Sequence, residues 1–171
     1  RIVAHAKKKG VAIAFENLEG EEYLHALMAR YRDCSHIGFC WDSGHDRCYP
    51  HKNDCLQAFG QRLIMTHLND NRGLRSADGS FDAADDLHFL PYDGTIDWPH
   101  AISRLQSLPQ QRILNFEIKI RNLTETKHPD IYFGVQALDT RGDVLAAWNM
   151  GSQDGLQPGQ AAWFYCSNNL F

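Results

Sequence analysis

Four short apolar runs, each ending in polar residues, constrain the fold of this chain more than any other feature. They are VAIAFEN (11–17), HIGFCWDSGH (36–45), LIMTHLND (63–70) and RILNFEI (112–118). Near-continuous apolar runs of this length are typical of strands buried on both faces, as in parallel sheets covered by helices. The sequence therefore predicts four buried, parallel strands.

The segments between these runs carry helical patterns. Residues 20–33 begin with glutamates and end with arginines, which suits the helix dipole, and residues 51–62 predict a short helix. Residues 97–108 predict a helix with Asp97 as its N-cap, and residues 1–10 predict the end of a helix with a glycine C-cap. Strands that alternate with helices predict an α/β fold with right-handed crossovers and a parallel sheet.

A long, acidic, glycine-containing loop follows the third apolar run and covers residues 71–94. Loops of this length inside compact domains are usually functional or disordered. We predict that this loop covers a bound substrate and excludes water, with His88 among its substrate-binding residues. The alternative for His88 is a loop histidine that packs against its neighbours.

Polar residues stand at the ends of all four runs: Glu16, Asp42, His67 and Glu117. The carboxyl ends of parallel strands lie on one face of an α/β fold, where active sites are found. Each residue alone has an ordinary explanation, such as a capping carboxylate or a core histidine. Three carboxylates brought together without a cation would repel one another, however. The four residues therefore predict a site for Mn²⁺, Mg²⁺ or Co²⁺, with Zn²⁺ as an alternative.

Composition and charge limit the partners and the compartment. The 171 residues have a net charge of −4 and no lysine- or arginine-rich tract, so we expect no nucleic-acid partner. No apolar run approaches the roughly 18 residues of a membrane-spanning helix, so we expect no membrane partner. Five cysteines without a CxxC pair predict reduced thiols in a cytoplasmic protein.

Several motifs resemble the xylose-isomerase-like TIM-barrel family of sugar-phosphate isomerases and epimerases. They are AFENLEG, WDSGH, THLND, LHFLPYDGTIDW and LNFEIK, and together they span roughly residues 1–120. The resemblance assigns the metal to the same four residues at the strand ends. It also implies that the histidine of the DxGH motif, His45, contacts substrate. Glu22 and Arg72 lie near positions that bind sugar hydroxyls in some family members.

The resemblance implies a divalent-metal-dependent isomerase or epimerase acting on a sugar or sugar phosphate. Glu16 and Glu117 would then be both metal ligands and the acid/base pair, working through an enediolate. Alternatives are a metal-dependent lyase or hydrolase, including the endonuclease branch, and a non-catalytic half-barrel that binds a partner. The negative charge and the single obvious histidine ligand argue against an endonuclease.

The chain departs from a complete barrel, which has eight strands in about 250 residues. Residues 1–120 therefore predict a partial TIM barrel of four βα units, corresponding to strands 5–8 of the family. Its open edges predict a homo-oligomer, association with a missing half-barrel, or a truncated piece. Residues 121–171 predict a β-rich tail, with IYFGVQALD and VLAAWNM forming a hairpin around residues 140–143 and AAWFYC forming a third strand.

Overall fold

The protein is described by a computed structural model that covers residues 1–109, 113–121, 123–127, 131–138, 144–153 and 155–169. The chain divides into two compact units. The first comprises Arg1–Ile118 together with Ser167–Phe171, and the second comprises Lys119–Cys166. The predicted division at residue 120 into a half-barrel and a tail stays a prediction.

Helices and strands alternate through the first unit. Its elements are α1 (Ile2–Lys9), β1 (Ile13–Glu16), α2 (Glu21–Arg30), β2 (Ile37–Asp42), α3 (Ser43–Cys48), α4 (Cys55–Phe59), β3 (Leu63–His67) and α5 (Trp98–Gln106). Short 3₁₀ turns lie at Gly60–Arg62 and Ala83–Asp85. The remaining strands are β4 (Ile113–Arg121), β5 (Ile131–Leu138), β6 (Val144–Gln153) and β7 (Ala161–Asn169).

Two predicted helix caps are confirmed. Gly10 follows α1 in the left-handed conformation, with φ of 67°, and its N–H donates to the carbonyls of Ala6 and Lys7. The Asp97 side chain accepts a hydrogen bond from the backbone N–H of His100 at the start of α5. Local side-chain and backbone chemistry therefore determines where these two helices end and begin.

The parallel sheet is confirmed, and its register determines which residues of neighbouring strands lie side by side. β1 pairs with β2 from Ile13 opposite Ile37, and β2 pairs with β3 up to Asp42 opposite His67. β4 pairs with β3 in parallel, with Met65 of β3 opposite Ile113 of β4. The strand order is β1-β2-β3-β4-β7. A barrel, whole or partial, stays a prediction.

The alternation of side chains along β2 separates the core from the site. Phe39 and Trp41 lie in the apolar cluster together with residues of α2, α4 and α5, as Ile37 does. Cys40 and Asp42 point to the opposite face of the sheet, because successive strand residues alternate. The helices thus cover one face, and the other face carries the chemically reactive side chains.

The second unit contains an antiparallel pair of strands. In this pair Ile131 of β5 lies opposite Gln153 of β6, and Leu138 lies opposite Val144. The predicted hairpin is confirmed, while its turn at residues 139–143 lies outside the described residues. The third predicted strand of the tail is β7, which follows β4 in the strand order. Within the described part of the chain, no helix has the length and apolar character required to cross a membrane.

Candidate metal centre

The strand register brings the predicted ligands together. Glu16, the last residue of β1, lies opposite Cys40, and Asp42, the last residue of β2, lies opposite His67. One ligand atom from each of Glu16, Asp42, His67 and Glu117 lies within 4.8 Å of the others. We call these four residues the strand group. Their convergence follows from parallel strands that end at the same edge of a sheet.

The strand group has the spacing of a coordination shell. The Nδ1 atom of His67 lies 2.8 Å from Glu117 Oε2, 3.1 Å from Glu16 Oε1 and 3.9 Å from Asp42 Oδ2. Nitrogen and oxygen ligands held about 2.0–2.2 Å from one cation are roughly 3–4 Å from each other. The donor set, three carboxylates and one imidazole, suits a divalent cation. The residues present therefore fit the metal that the sequence predicts.

The electrostatics of the strand group show how these charges balance without a cation. Burial raises the pKa of Glu16, but contacts with His45 and His67 outweigh it and lower that pKa to about 2. Burial raises the pKa of Asp42 to about 6. Burial lowers the pKa of His67, but contacts with Cys40 and the glutamates raise it far above the usual histidine range. A protonated His67 thus supplies the positive charge among the carboxylates that a cation would otherwise supply.

A buried hydrogen-bond network fixes Asp42. The Asn69 side-chain amide donates to both carboxylate oxygens of Asp42, at 3.1 and 2.9 Å. The Asn17 side chain makes two hydrogen bonds to the backbone of Asp42. It donates to the carbonyl at 2.9 Å and accepts from the N–H at 2.7 Å. A Cβ at Gly44 would lie 1.8 Å from Asn69 Oδ1, so only glycine fits there. The orientation of this carboxylate is therefore set before any cation binds.

Asp42 also begins a helix that the sequence analysis missed. Its Oδ1 accepts a hydrogen bond from the backbone N–H of His45 at 2.8 Å, which makes Asp42 the N-cap of α3. The cap turns the chain sharply after β2. It thereby places the side chain of His45 beside Glu16, with His45 Nδ1 3.1 Å from Glu16 Oε1.

A second group of possible ligands adjoins the first. Asp86 Oδ1 lies 2.9 Å from His88 Nε2 and 3.6 Å from His45 Nε2. One ligand atom from each of His45, Asp86 and His88 lies within 4.8 Å of the others. We call these three residues the loop group, because two of them belong to the loop of residues 71–94. The contact of His45 with Glu16 joins the loop group to the strand group.

The loop group also fits a cation. His45 Nδ1 and Asp86 Oδ1 are buried, and neither makes a hydrogen bond of good geometry to any of the residues that the structure describes, despite its close neighbours. Buried polar atoms are normally hydrogen-bonded, so such atoms call for a partner. Burial lowers the pKa of His45, but contacts with Asp86 and Glu16 raise it to about 10. Burial raises the pKa of Asp86, but the two histidines outweigh it and hold that pKa well below its usual range.

Asp70 anchors the loop that carries this second group. Its buried carboxylate accepts hydrogen bonds from Trp98 Nε1 at 2.7 Å, from the Tyr92 N–H at 2.9 Å and from the Ile96 N–H at 3.1 Å. A Cβ at Gly94 would lie 2.2 Å from Asp70 Oδ1. The two ends of the loop are therefore tied together at this one side chain.

The other predicted substrate-binding residues lie farther out. Glu22 is exposed and lines a cleft of about 410 Å³ that Tyr49 also lines. Arg72 is exposed, and its guanidinium lies 5.0 Å from the centre of the Phe89 ring. The structure therefore brings His45 and His88 to the ligand groups and leaves Glu22 and Arg72 at the surface.

Three residues of this region were missed from the sequence. Asp86 stands two residues before His88, but the surrounding loop offers no periodicity that would mark either residue as a ligand. Asn69 lies in the THLND segment, where a polar amide inside a buried run is a weak signal of a hydrogen-bond network. Cys40 reads as a core residue of the apolar run that precedes Asp42.

Comparisons with known proteins agree with this architecture. Residues 1–140 match the xylose isomerase-like TIM barrel family, and the chain belongs to it, which confirms the resemblance seen in the sequence motifs. This family includes isomerases, epimerases and endonucleases.

One curated relative is the uncharacterized protein y4fM of Sinorhizobium fredii (strain NBRC 101917 / NGR234), which is 37% identical over 123 residues. The match covers 68% of this chain and 36% of the relative, so the chain spans about a third of the relative's length. No solved structure matches the chain.

Proposed function

We propose that this chain is a divalent-metal-dependent isomerase or epimerase acting on a sugar or sugar phosphate, with Mn²⁺, Mg²⁺ or Co²⁺ as its cation. One observation carries the proposal: two glutamates from the first and fourth strands flank the same imidazole. Glu16 lies 3.1 Å and Glu117 lies 2.8 Å from His67 Nδ1. Two carboxylates on either side of one cation are what proton removal and proton return at neighbouring carbons require.

The carboxylates of the strand group have different access to a substrate. The Asp42 side chain is fully buried and clamped by Asn69, so it holds its position and cannot reach a substrate. The side chains of Glu16 and Glu117 are 22% and 10% exposed to solvent, respectively. The two glutamates are therefore the groups that take a proton from a substrate carbon and give it back.

The bound cation would polarise a substrate carbonyl and acidify the adjoining C–H bond. Contacts with His45 and His67 hold the pKa of Glu16 at about 2, so Glu16 is ionised at neutral pH, which is the form that a general base requires. His45 lies beside Glu16 and donates a hydrogen bond that orients a substrate hydroxyl. The loop of residues 71–94 covers the site and excludes water.

We also propose that the four βα units form the second half of a barrel, corresponding to strands 5–8 of the family. β1 stands at one end of the strand order and presents an edge on which a further strand could pair. A second copy of the chain or a separate half-barrel would complete this edge. The barrel would then enclose the sheet face that carries the strand group.

The first experiment combines metal analysis with a proton-exchange assay. The purified chain is sized by gel filtration, its metal content is measured, and it is incubated in deuterated water with ketoses, aldoses and their phosphates. We expect bound Mn²⁺, Mg²⁺ or Co²⁺ and deuterium incorporation next to the carbonyl of one substrate class. A metal-loaded chain of defined size that exchanges no proton in any of these sugars would contradict the proposal.

A metal-dependent hydrolase is a second candidate, and the loop group favours it. The strand and loop groups adjoin through His45 and Glu16, as in sites where two cations clamp a phosphate ester. The sequence disfavours an endonuclease because it offers a single obvious histidine ligand. The loop group adds His45 and His88 as possible ligands. Two cations per chain and cleavage of bis(p-nitrophenyl) phosphate without proton exchange would favour this candidate over the isomerase.

A further inference from the structure

Cys40 occupies a position next to the strand group that the proposed chemistry does not use. It lies two residues before Asp42 on β2, so both side chains point to the same face of the sheet. In the parallel register it stands opposite Glu16, and its side chain is 2% exposed. Its contact with His67 helps to raise the pKa of that imidazole. The thiol is thus buried among the ligands rather than in the apolar cluster.

Cys40 forms an alternative set of ligands with two members of the strand group. One ligand atom from each of Glu16, Cys40 and His67 lies within 4.8 Å of the others. This set replaces the carboxylates of Asp42 and Glu117 with one sulfur. Carboxylate oxygens suit hard cations such as Mg²⁺ and Mn²⁺, whereas thiolates select softer ones. The chemical preference of the two sets is therefore different although they share two residues.

We propose that Cys40 gives this centre a second binding mode, in which Glu16, Cys40 and His67 hold a thiophilic divalent cation such as Zn²⁺ or Cd²⁺. Hard cations use the carboxylates of the strand group instead. The two modes exclude each other because both require Glu16 and His67. The inference rests on the proposed function only in that the strand group binds a cation.

Cation binding in this mode exchanges a proton for a metal–sulfur bond. A thiolate is the form of cysteine that binds a metal, so the Cys40 thiol must lose its proton when a cation binds in this mode. Coordination displaces this proton, as at other thiolate sites, and the proton leaves to solvent. Because both modes use Glu16 and His67, Zn²⁺ and Cd²⁺ act as competitors of Mn²⁺.

The test uses Cd²⁺ on the full chain, on Cys40→Ser and on Cys55→Ser. Cys55 is a matched control, because it is also buried but lies in the apolar cluster. We expect a sulfur-to-cadmium charge-transfer band in the ultraviolet in the wild type and in Cys55→Ser, and its loss in Cys40→Ser. We also expect Cys40→Ser to bind Cd²⁺ roughly 10- to 100-fold more weakly, while its affinity for Mn²⁺ stays within about twofold of wild type.

X-ray absorption of the zinc-loaded wild type provides a measurement that needs no variant to fold. We expect a sulfur neighbour at about 2.3 Å from zinc, longer than the distance to nitrogen or oxygen ligands. A shell of nitrogen and oxygen alone, or a cadmium charge-transfer band that survives in Cys40→Ser, would overturn the inference. A chain that shows the sulfur shell when loaded with Zn²⁺ but exchanges no sugar proton when loaded with Mn²⁺ would refute the proposed function and leave the thiophilic mode standing.

Discussion

The strand group and the loop group contain similar ligand types, but different parts of the chain carry them. The strand group comes from the last residues of β1, β2 and β3 and from Glu117 inside β4, whose positions follow from the register of a parallel sheet. The loop group combines His45 of α3 with Asp86 and His88, which depend on a loop tied at Asp70. The sheet therefore builds one site directly, whereas the other requires a long segment to fold back onto it.

The largest expected effect is that of Glu117→Gln in the strand group. Under the proposed function this change removes a metal ligand and one of the two proton-transfer groups, so we expect proton exchange to fall by about 10²–10⁴-fold. The affinity for Mn²⁺, measured by titration calorimetry, should fall as well. Glu125→Gln is the control, because Glu125 is exposed. Unchanged Mn²⁺ binding in Glu117→Gln would mean that the strand group is not the metal site.

Asp86→Asn tests whether the loop group acts separately from the strand group. Asp86 contacts both histidines of the loop group, so we expect the affinity for a second cation to fall roughly 10- to 100-fold. Binding of the first cation should change little. Metal titration of the variant followed by elemental analysis measures both constants. An equal loss at both sites would show that the two groups form one inseparable centre.

The difference between the two groups also explains what the sequence reveals. The four apolar runs predict the strands, and the residues that end the runs predict the convergence of Glu16, Asp42, His67 and Glu117. These positions depend on local patterns and on the shared direction of parallel strands. No local pattern predicts that Asp86 meets His45, because loop residues obey no periodicity.

Two further features escaped prediction for physical reasons. The helix α3 has six residues with a glycine inside, and it forms because Asp42 caps it and Asn69 packs against Gly44. The partner of β7 in the sheet is a tertiary choice that strand propensity does not encode. Asn69 and the sheet partner of β7 are both distant in sequence from the elements that they affect.

Asn69→Ala tests the strand group separately from the loop group, because the Asn69 amide contacts Asp42. The change removes both amide hydrogen bonds to Asp42, so its carboxylate loses its fixed orientation, and we expect about 10-fold weaker binding of the first cation. Second-cation affinity should stay as in wild type. Asn53→Ala, at an exposed amide, is the control. Circular dichroism checks that the variant is folded, and full affinity in a folded variant would rule out the positioning role.

The smallest expected effect is the pH dependence of stability in the metal-free chain. The pKa of His45 is raised from 6.5 to about 10, so the protonated imidazole stabilises the folded state. This contribution is complete below pH 6.5 and is lost as the pH rises towards 10. We expect Tm in the presence of a chelator to fall over this window, and to fall less in His45→Gln. A slope that is the same in both proteins would contradict this assignment.

Asn69 and Asp70 are neighbours in the chain, and each supports one of the two ligand groups. Asp70 holds the two ends of the loop together through its hydrogen bonds. Residues 76–80 are exposed and take no part in these hydrogen bonds. Under the proposed function, we therefore expect insertions and substitutions at 76–80 to change what the loop presents to a substrate without moving a ligand atom. Such changes would alter the substrate and retain the metal chemistry.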